Sequence, residues 1–323
     1  MVSLTSSEFF KIQSGFSHIP YSQSSGWYKY QKARGENLVF YVDDAENVSI
    51  GFMGRIKSIP IIGDILIVEG EVIKYEVPIE LIREFYHEIS NLPYAGIEID
   101  SNNSYDIKFE IGIRRAGFIR PLSFLSCPLT SIIDLTKPLK LNKNWKYNYR
   151  KALKNDLMFE EIINPNLHIA KEFLQIYKEL LSRKGLKYSL NYNAILELVN
   201  DDNMRLFIVK LPDGAILSGG IVYTYGVSGY YIFAANSKKA HETGASRLIM
   251  KCVFEKLAEE GIEKCDFGRI PPSNNISDNI YTFKNGIDGE KIQYNGEWIY
   301  YKSRLKEYII HFIKVVYRKR QRY

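Results

Sequence analysis

Residues 229–268, GYYIFAANSKKAHETGASRLIMKCVFEKLAEEGIEKCDFG, decide how the chain folds. GYYIFAA is aromatic and β-branched and reads as a strand. The stretch after Gly244 repeats apolar residues at helical spacing until Gly261, so a helix is marked at both ends. EKCDFG then reads as a short strand. Upstream, MRLFIVKL (204–211) and AILSGGIVYTY (215–225) are strands, with PDG and GVSG as the hairpin turns. The whole stretch is thus an antiparallel meander, a helix, and a strand roughly parallel to the meander's end.

The first half shows the same order. LVFYVDD (38–44), VSIGFMGRIKS (48–58) and DILIVEG (64–70) form a meander. A helix follows, with Ile79, Leu81, Ile82, Phe85, Tyr86 and Ile89 on one side, and then the strand YAGIEID (94–100). YDIKFEIGIRRAGF (105–118) fits both alternation and helical spacing; a helix is favoured because AGF resembles a helix end. TSIIDLT (130–136) is a strand, and EKIQYNGEWIYY (290–301) suggests a last hairpin. No residue-level repeat accompanies this matched order, which suggests a duplicated unit of the N-acetyltransferase type. The expected fold class is therefore α/β (α+β): two tandem GNAT-like domains, each a mixed, largely antiparallel sheet flanked by helices. A polar linker with a proline, DLTKPLKLNKN (134–144), sets the expected domains at 1–140 and 141–301.

A chain of 323 residues exceeds one ordinary core, in keeping with two domains. With 46% apolar and 25% charged residues it reads as an ordinary soluble globular protein. The net charge is +6, yet the last 26 residues hold eight Lys or Arg against one Glu, which leaves the rest near neutral. That excludes a uniform nucleic-acid-coating surface and makes any attraction to anions local. Cys127, Cys252 and Cys265 have no CxxC spacing, which argues against a disulfide framework or zinc knuckle and for a reducing cytoplasm. No basic n-region with an apolar h-region opens the sequence, and no apolar run reaches spanning length.

His18, His87, His168, His241 and His311 are scattered without metal-ligand spacing, so no metal is expected. Neither GxSxG nor a Walker-type loop appears. NWKYNYRKALKND (144–156) places Lys146, Arg150 and Lys154 in one row at helical spacing, beside Trp145, Tyr149 and Leu153. A solvated face is the plain reading of such a row; an anion-binding helix is the functional one, with Arg150 offering the planar fork. In HETGAS, a helix-opening turn, Gly244 and Ser246 stand where an acetyltransferase presents backbone N–H groups to the pyrophosphate of coenzyme A. His241 replaces the usual Gln or Arg, so the turn reads either as a degenerate cofactor cradle or as a plain glycine-started helix.

Three ordered stretches, NWKYNYRKALKND, the 229–268 segment and YTFKNGIDGEKIQYNGEW (281–298), resemble the FemABX family of peptidoglycan peptidyltransferases and its FemAB-like N-acyltransferase relatives. YSQSSGWYKYQKARG (21–35) resembles the family's opening Gln-x-x-x-Trp-x-x-x-Lys; Gln23 and Trp27 fit, Gln31 takes the lysine position, and Lys32 follows one residue late. The resemblance implies transfer of an aminoacyl group from aminoacyl-tRNA, the co-substrate, to an amine on a UDP- or lipid-linked muropeptide, with no cofactor. It assigns Phe283 and Lys284 to the family's Phe-Lys pair and Arg150, with Lys146 and Lys154, to the precursor diphosphate; Trp27 and Lys32 belong to the substrate side. Asp266 follows the family's YDFGG-like element, where it either orients the amine or caps the turn. Tyr225, Tyr230 and Tyr231 are candidate cleft residues or hairpin packing.

Ester aminolysis needs a stabilised oxyanion rather than a triad, and a lysine ammonium supplies roughly 3 kcal/mol of such stabilisation. Lys284 is the candidate. Two competing readings share the scaffold: an acyl-coenzyme A dependent N-acyltransferase using Gly244 and Ser246, and a non-catalytic precursor-binding protein. The C-terminal stretch carries Leu305, Ile309, Phe312, Ile313 and Val316 along one helical stripe, followed by RKRQR. A helix over about 302–323 is expected to pack back on the first domain, leaving the cationic end for tRNA phosphates or for the anionic inner face of the membrane. The sequence leaves the oligomeric state open.

Overall fold

The computed structural model describes residues 1–122, 126–183, 191–270 and 279–320, and it divides into two units: Met1–Pro128 with Gln293–Tyr323, and Leu129–Ile292. Unit 1 begins with β1 (Val2–Ser3), α1 (Ser6–Ile12) and α2 (Ser25–Ala33), each helix capped by a hydroxyl: Thr5 in a capping box with Glu8, and Ser24 accepting from the Trp27 amide. The meander is β2 (Asn37–Val42), β3 (Ile50–Ile59) and β4 (Gly63–Glu69), with the short β5 (Val72–Ile73) on β3. Helix α3 (Ile79–Asn91) starts on Pro78 and buries Ile82, Phe85, Tyr86 and Ile89, related by i+3 and i+4 as an inward stripe requires. It leads into β6 (Gly96–Ser104), which runs parallel to β4, and then α4 (Ile107–Arg115), capped by Asp106.

Unit 2 opens with β7 (Leu129–Asp134), α5 (Lys143–Ala152) and β8 (Met158–Ile162), followed by α6 (Leu167–Arg183) and α7 (Tyr192–Val199). Its meander is β9 (Met204–Lys210), β10 (Ile216–Tyr225) and β11 (Ser228–Asn236), with a register shift between Ile221 and Val222. After α8 (Lys238–Thr243) and α9 (Ala245–Glu259) comes β12 (Lys264–Asp266), parallel to β11 and antiparallel to β7. Helix α10 (Asn279–Lys284) precedes β13 (Glu290–Tyr301). The repeated order of meander, helix and parallel strand is therefore present in both units, as the periodicity implied.

Each unit has its own core. Phe52, Leu66, Phe85, Tyr86, Ile97, Phe109 and Trp298 fill the first. Trp145, Phe207, Leu248, Val253, Phe254, Leu257, Phe267 and Ile287 fill the second. At about 2 kcal/mol per fully buried large apolar side chain, these clusters supply the main driving force for each unit.

Three expectations change. The 134–144 linker lies inside unit 2, which starts at Leu129, and unit 1 takes back the chain from Gln293. EKIQYNGEWIYY is one strand, β13, pairing antiparallel with β6, rather than a hairpin; Asn295-Gly296 forms an irregularity in the register, with Gly296 at φ +70. The last helix, α11 (Arg304–Arg320), belongs to unit 1, but its apolar stripe is turned outward. Leu305, Tyr308, Ile309, Phe312 and Ile313 are exposed, whereas Glu307 and Ile310 on the opposite face are buried.

Candidate functional site in the second unit

Lys284 ends α10 and is held at its charged tip. Its Nζ donates to the Arg269 carbonyl at 3.1 Å and stands 5.6 Å from the centroid of the Phe267 ring. A Cβ at Gly268 would lie 2.9 Å from that Nζ, so the CDFGR turn needs glycine here both for its φ of +81 and for the approach of the ammonium. Asp266, two residues before Gly268, is buried. Its Oδ1 accepts from Thr130 Oγ1 at 2.5 Å and from the Gly268 amide at 2.7 Å, fastening the turn to β7. Burial pushes its pKa up, opposed by those two hydrogen bonds and by the charges of Lys284 and Arg269. Asp266 therefore shapes the turn that carries the ammonium's acceptor.

Phe283 joins this turn to α5. Its ring lies 5.2 Å from Trp145 and 5.8 Å from Phe267, and its carbonyl accepts from Trp145 Nε1 at 2.8 Å. Trp145 is fully buried, and Asn142 caps the start of α5 by accepting from the Trp145 amide. A Cβ at Gly286 would collide with the indole, so this junction has no slack.

On α5, Lys146 and Arg150 face solvent, and among the described residues their side chains form no ion pair. The helix stops at Ala152, so Lys154 falls in the turn beyond it and the expected row of three is a row of two. Ala152, not Leu153, takes the inner position after Trp145. No contact links Arg150 directly to Lys284; what connects their elements is the Trp145–Phe283 junction.

Helix α9 begins on Gly244, at φ +82, and α5 is pressed against that start. A Cβ on Gly244 would be 2.4 Å from the Asn148 carbonyl oxygen and 3.1 Å from the Ala152 amide nitrogen. Gly244 and Ser246 are both buried, and Asn155 Nδ2 donates to the Thr243 carbonyl at 3.3 Å. The start of α9 is thus covered by α5 at Gly244.

Sequence reasoning passed over Arg247. Its guanidinium lies 4.8 Å from the Phe283 centroid and 6.0 Å from Trp145, with Nη1 3.0 Å from Ser246 Oγ. Its buried Nε has no partner among the described residues, and burial lowers its pKa. A cation in the first turn of a helix opposes the macrodipole, and that was the available signal.

Tyr231 packs into the unit 2 core over Gly220, where any Cβ would meet its hydroxyl at 2.4 Å. Tyr230 is the neighbour of Asp266 across β11 and β12; burial, then the Asp266 charge, pushes its pKa well up. Tyr225 is half-buried at the end of β10. Cys265 is buried with a thiol pKa far above its usual value, and burial pushes Cys252 up to about 11, so neither is a ready nucleophile. Among the described residues no cluster of His, Cys, Asp and Glu is placed to hold a metal. A cleft of about 560 Å³ in the same unit includes Asp134, Lys137, Lys140, Lys264 and Asp288, but Lys137 and Lys140 are already ion-paired to Asp134 and Asp288.

In unit 1, Gln23 is fully buried, donating to the carbonyls of Met53, Glu69 and Gly70 and accepting from the Met53 amide. Trp27 is buried and stacks on Tyr30 at 4.8 Å. The opening motif therefore stitches α2 to the meander. Lys32 is exposed on α2 and lines a cleft with Thr5, Tyr28, Glu36 and Asn37.

A family model described as an acetyltransferase (GNAT) domain matches residues 140–284. No curated protein matches the chain. Among solved structures, FemX aligns with a TM-score of 0.75 at 16% identity, covering 96% of this chain and 100% of that one. The C-terminal domain of a putative lysylphosphatidylglycerol synthetase from Agrobacterium fabrum gives 0.64 at 13% identity, covering 97% of each. L-PGS from Bacillus licheniformis gives 0.60 at 14% identity, covering 94% and 99%. In fold the chain is similar to FemX, with two GNAT-like units, the second of which holds the residues matched by the acetyltransferase domain model.

Proposed function

We propose that this chain is an aminoacyltransferase that forms an amide bond on an amine of a peptidoglycan precursor, with aminoacyl-tRNA as donor. The observation that carries the reading is Lys284: an ammonium that donates to the Arg269 carbonyl, against a glycine, on a turn braced by Asp266, Phe283 and Trp145. In the reaction the acceptor amine adds to the ester carbonyl, the Lys284 ammonium meets the developing oxyanion, the carbon–oxygen bond to the tRNA ribose breaks, and the amine proton passes to the departing oxygen. The high thiol pKa values of Cys252 and Cys265 favour direct transfer over an acyl-enzyme. Arg150, Lys146 and the nearby Lys154, all exposed, are the proposed contacts for the precursor's diphosphate, and the exposed Lys32 is a secondary substrate contact, whereas the buried Trp27 only packs α2.

A second reading, acyl transfer from coenzyme A, draws on the acetyltransferase model and on the left-handed Gly244 that opens α9. The packing of α5 against Gly244, with Ser246 buried as well, weighs against it and supports a donor without a pyrophosphate at that helix. The test is to incubate purified protein with charged tRNAs or acyl-coenzyme A esters and muropeptide precursors, and to read product mass. Aminoacylated precursor formed only with charged tRNA is expected; product formed only from coenzyme A esters would replace this reading with the second.

A further inference from the structure

The outward face of α11 presents Leu305, Tyr308, Ile309, Phe312 and Ile313, at steps of three and four, with Leu305 and Phe312 69% and 68% exposed. A helix that anchors itself through a stripe normally buries the apolar one; here Ile310 and Glu307 are the buried residues. Lys314 pairs with Glu98 at 2.7 Å, and Lys306 Nζ donates to the Ile62 carbonyl at 2.6 Å, so the inner face is fixed by charge and hydrogen bonds. That second bond sets the start of α11 beside the β3–β4 hairpin, where Ile62, Ile65 and Ile310 form one cluster. At the hairpin tip Ile61 is fully exposed and has φ +70, a conformation β-branched residues rarely adopt. An apolar side chain is thus held out in solvent beside an outward apolar helix face.

The last 26 residues hold eight Lys and Arg against one Glu; Lys302, Lys306 and Lys314 are engaged with Leu92, Ile62 and Glu98, and Arg304 and the RKRQR stretch carry the other five. Apolar residues on one helical face with a cationic end is the arrangement of a helix lying in a bilayer interface, where Tyr308 suits the headgroup level. We propose that α11 and the Ile61 hairpin dock unit 1 onto an anionic lipid bilayer, with Leu305, Phe312 and Ile61 entering the headgroup–acyl boundary. Among the described residues no helix is long and apolar enough to cross a membrane, so the proposal is one of surface docking. It rests on unit 1 alone and stands whether or not the transfer reaction above is correct.

The experiment is vesicle sedimentation of the full chain with phosphatidylglycerol–phosphatidylcholine and with phosphatidylcholine alone, paired with sedimentation velocity without lipid. Binding to the anionic vesicles alone is expected, weakened about tenfold by Phe312→Ser and by Ile61→Ser. These side chains are exposed, so circular dichroism should show an unchanged fold. Absence of vesicle binding overturns the proposal. So does binding that is abolished by salt yet unaffected by the apolar variants, which would mark a purely electrostatic surface of the kind that binds nucleic acid. A dimer that Phe312→Ser disperses, with no lipid binding, would overturn it in favour of a contact between copies.

Discussion

Both units bury a carboxylate where the strand after the helix runs parallel to the meander's last strand, and the two carboxylates differ in company. In unit 1, Glu71 is sealed: Ser101 Oγ and Asn103 Nδ2 donate to its Oε1 at 2.5 and 2.8 Å, its Oε2 has no partner among the described residues, and burial lifts its pKa to about 7. In unit 2, Asp266 is equally buried but feels the charges of Lys284 and Arg269. The helices before those strands differ as well, α3 starting on Pro78 and α9 on a left-handed Gly244 pressed by α5. The same order of elements has been kept as scaffold in one unit and brought to bear on a fixed ammonium in the other.

The largest expected effect comes from Trp145→Ala, which removes a fully buried indole and its bond to Phe283. It should cost about 3–5 kcal/mol in urea unfolding and also lower turnover per folded molecule. Phe85→Ala in unit 1 should cost a similar amount and leave turnover per folded molecule unchanged; equal losses of turnover would erase the distinction between the units.

Glu71 gives a pH signature of unit 1. The folded chain keeps a proton that the unfolded chain releases above its ordinary value of 4.5, so stability should fall as pH rises from about 4.5 to 7. The decline amounts to at most about 3 kcal/mol. Glu71→Gln should flatten that window in denaturation series at pH 5 and 8 while sparing activity.

Gly244→Ala places a methyl group against the Asn148 carbonyl at an unfavourable φ, and should cost about 2 kcal/mol in thermal or urea unfolding. Retained turnover in that variant would agree with a donor that does not use this turn. The smallest effect is expected from Arg150→Ala, an exposed residue: about a tenfold loss of affinity for the diphosphate-bearing acceptor in calorimetry, with stability unchanged.

The repeated meander, helix and parallel strand was legible because alternation and helical spacing are local signals, and both cores follow them. What sequence missed depended on partners distant in the chain. Asn295-Gly296 carries the strongest short hairpin signal, yet β13 pairs with β6 on both sides of it, so the glycine is spent on a register irregularity. The stripe on α11 was correctly periodic but wrongly oriented, because Lys306, Glu307, Ile310 and Lys314 hold the other face. Phe283 and Lys284 stand out by motif, whereas the sequence presents Trp145 only as part of an apolar row. Arg247 was missed because its meaning lies in stacking on residues about 36 and 102 positions away in sequence.

The most direct test of a catalytic ammonium in unit 2 is the single-turnover transfer rate of Lys284→Met at saturating aminoacyl-tRNA and precursor. A fall of about 10²–10³-fold, with acceptor affinity and circular dichroism unchanged, is the predicted result. A wild-type rate in that variant would contradict the account.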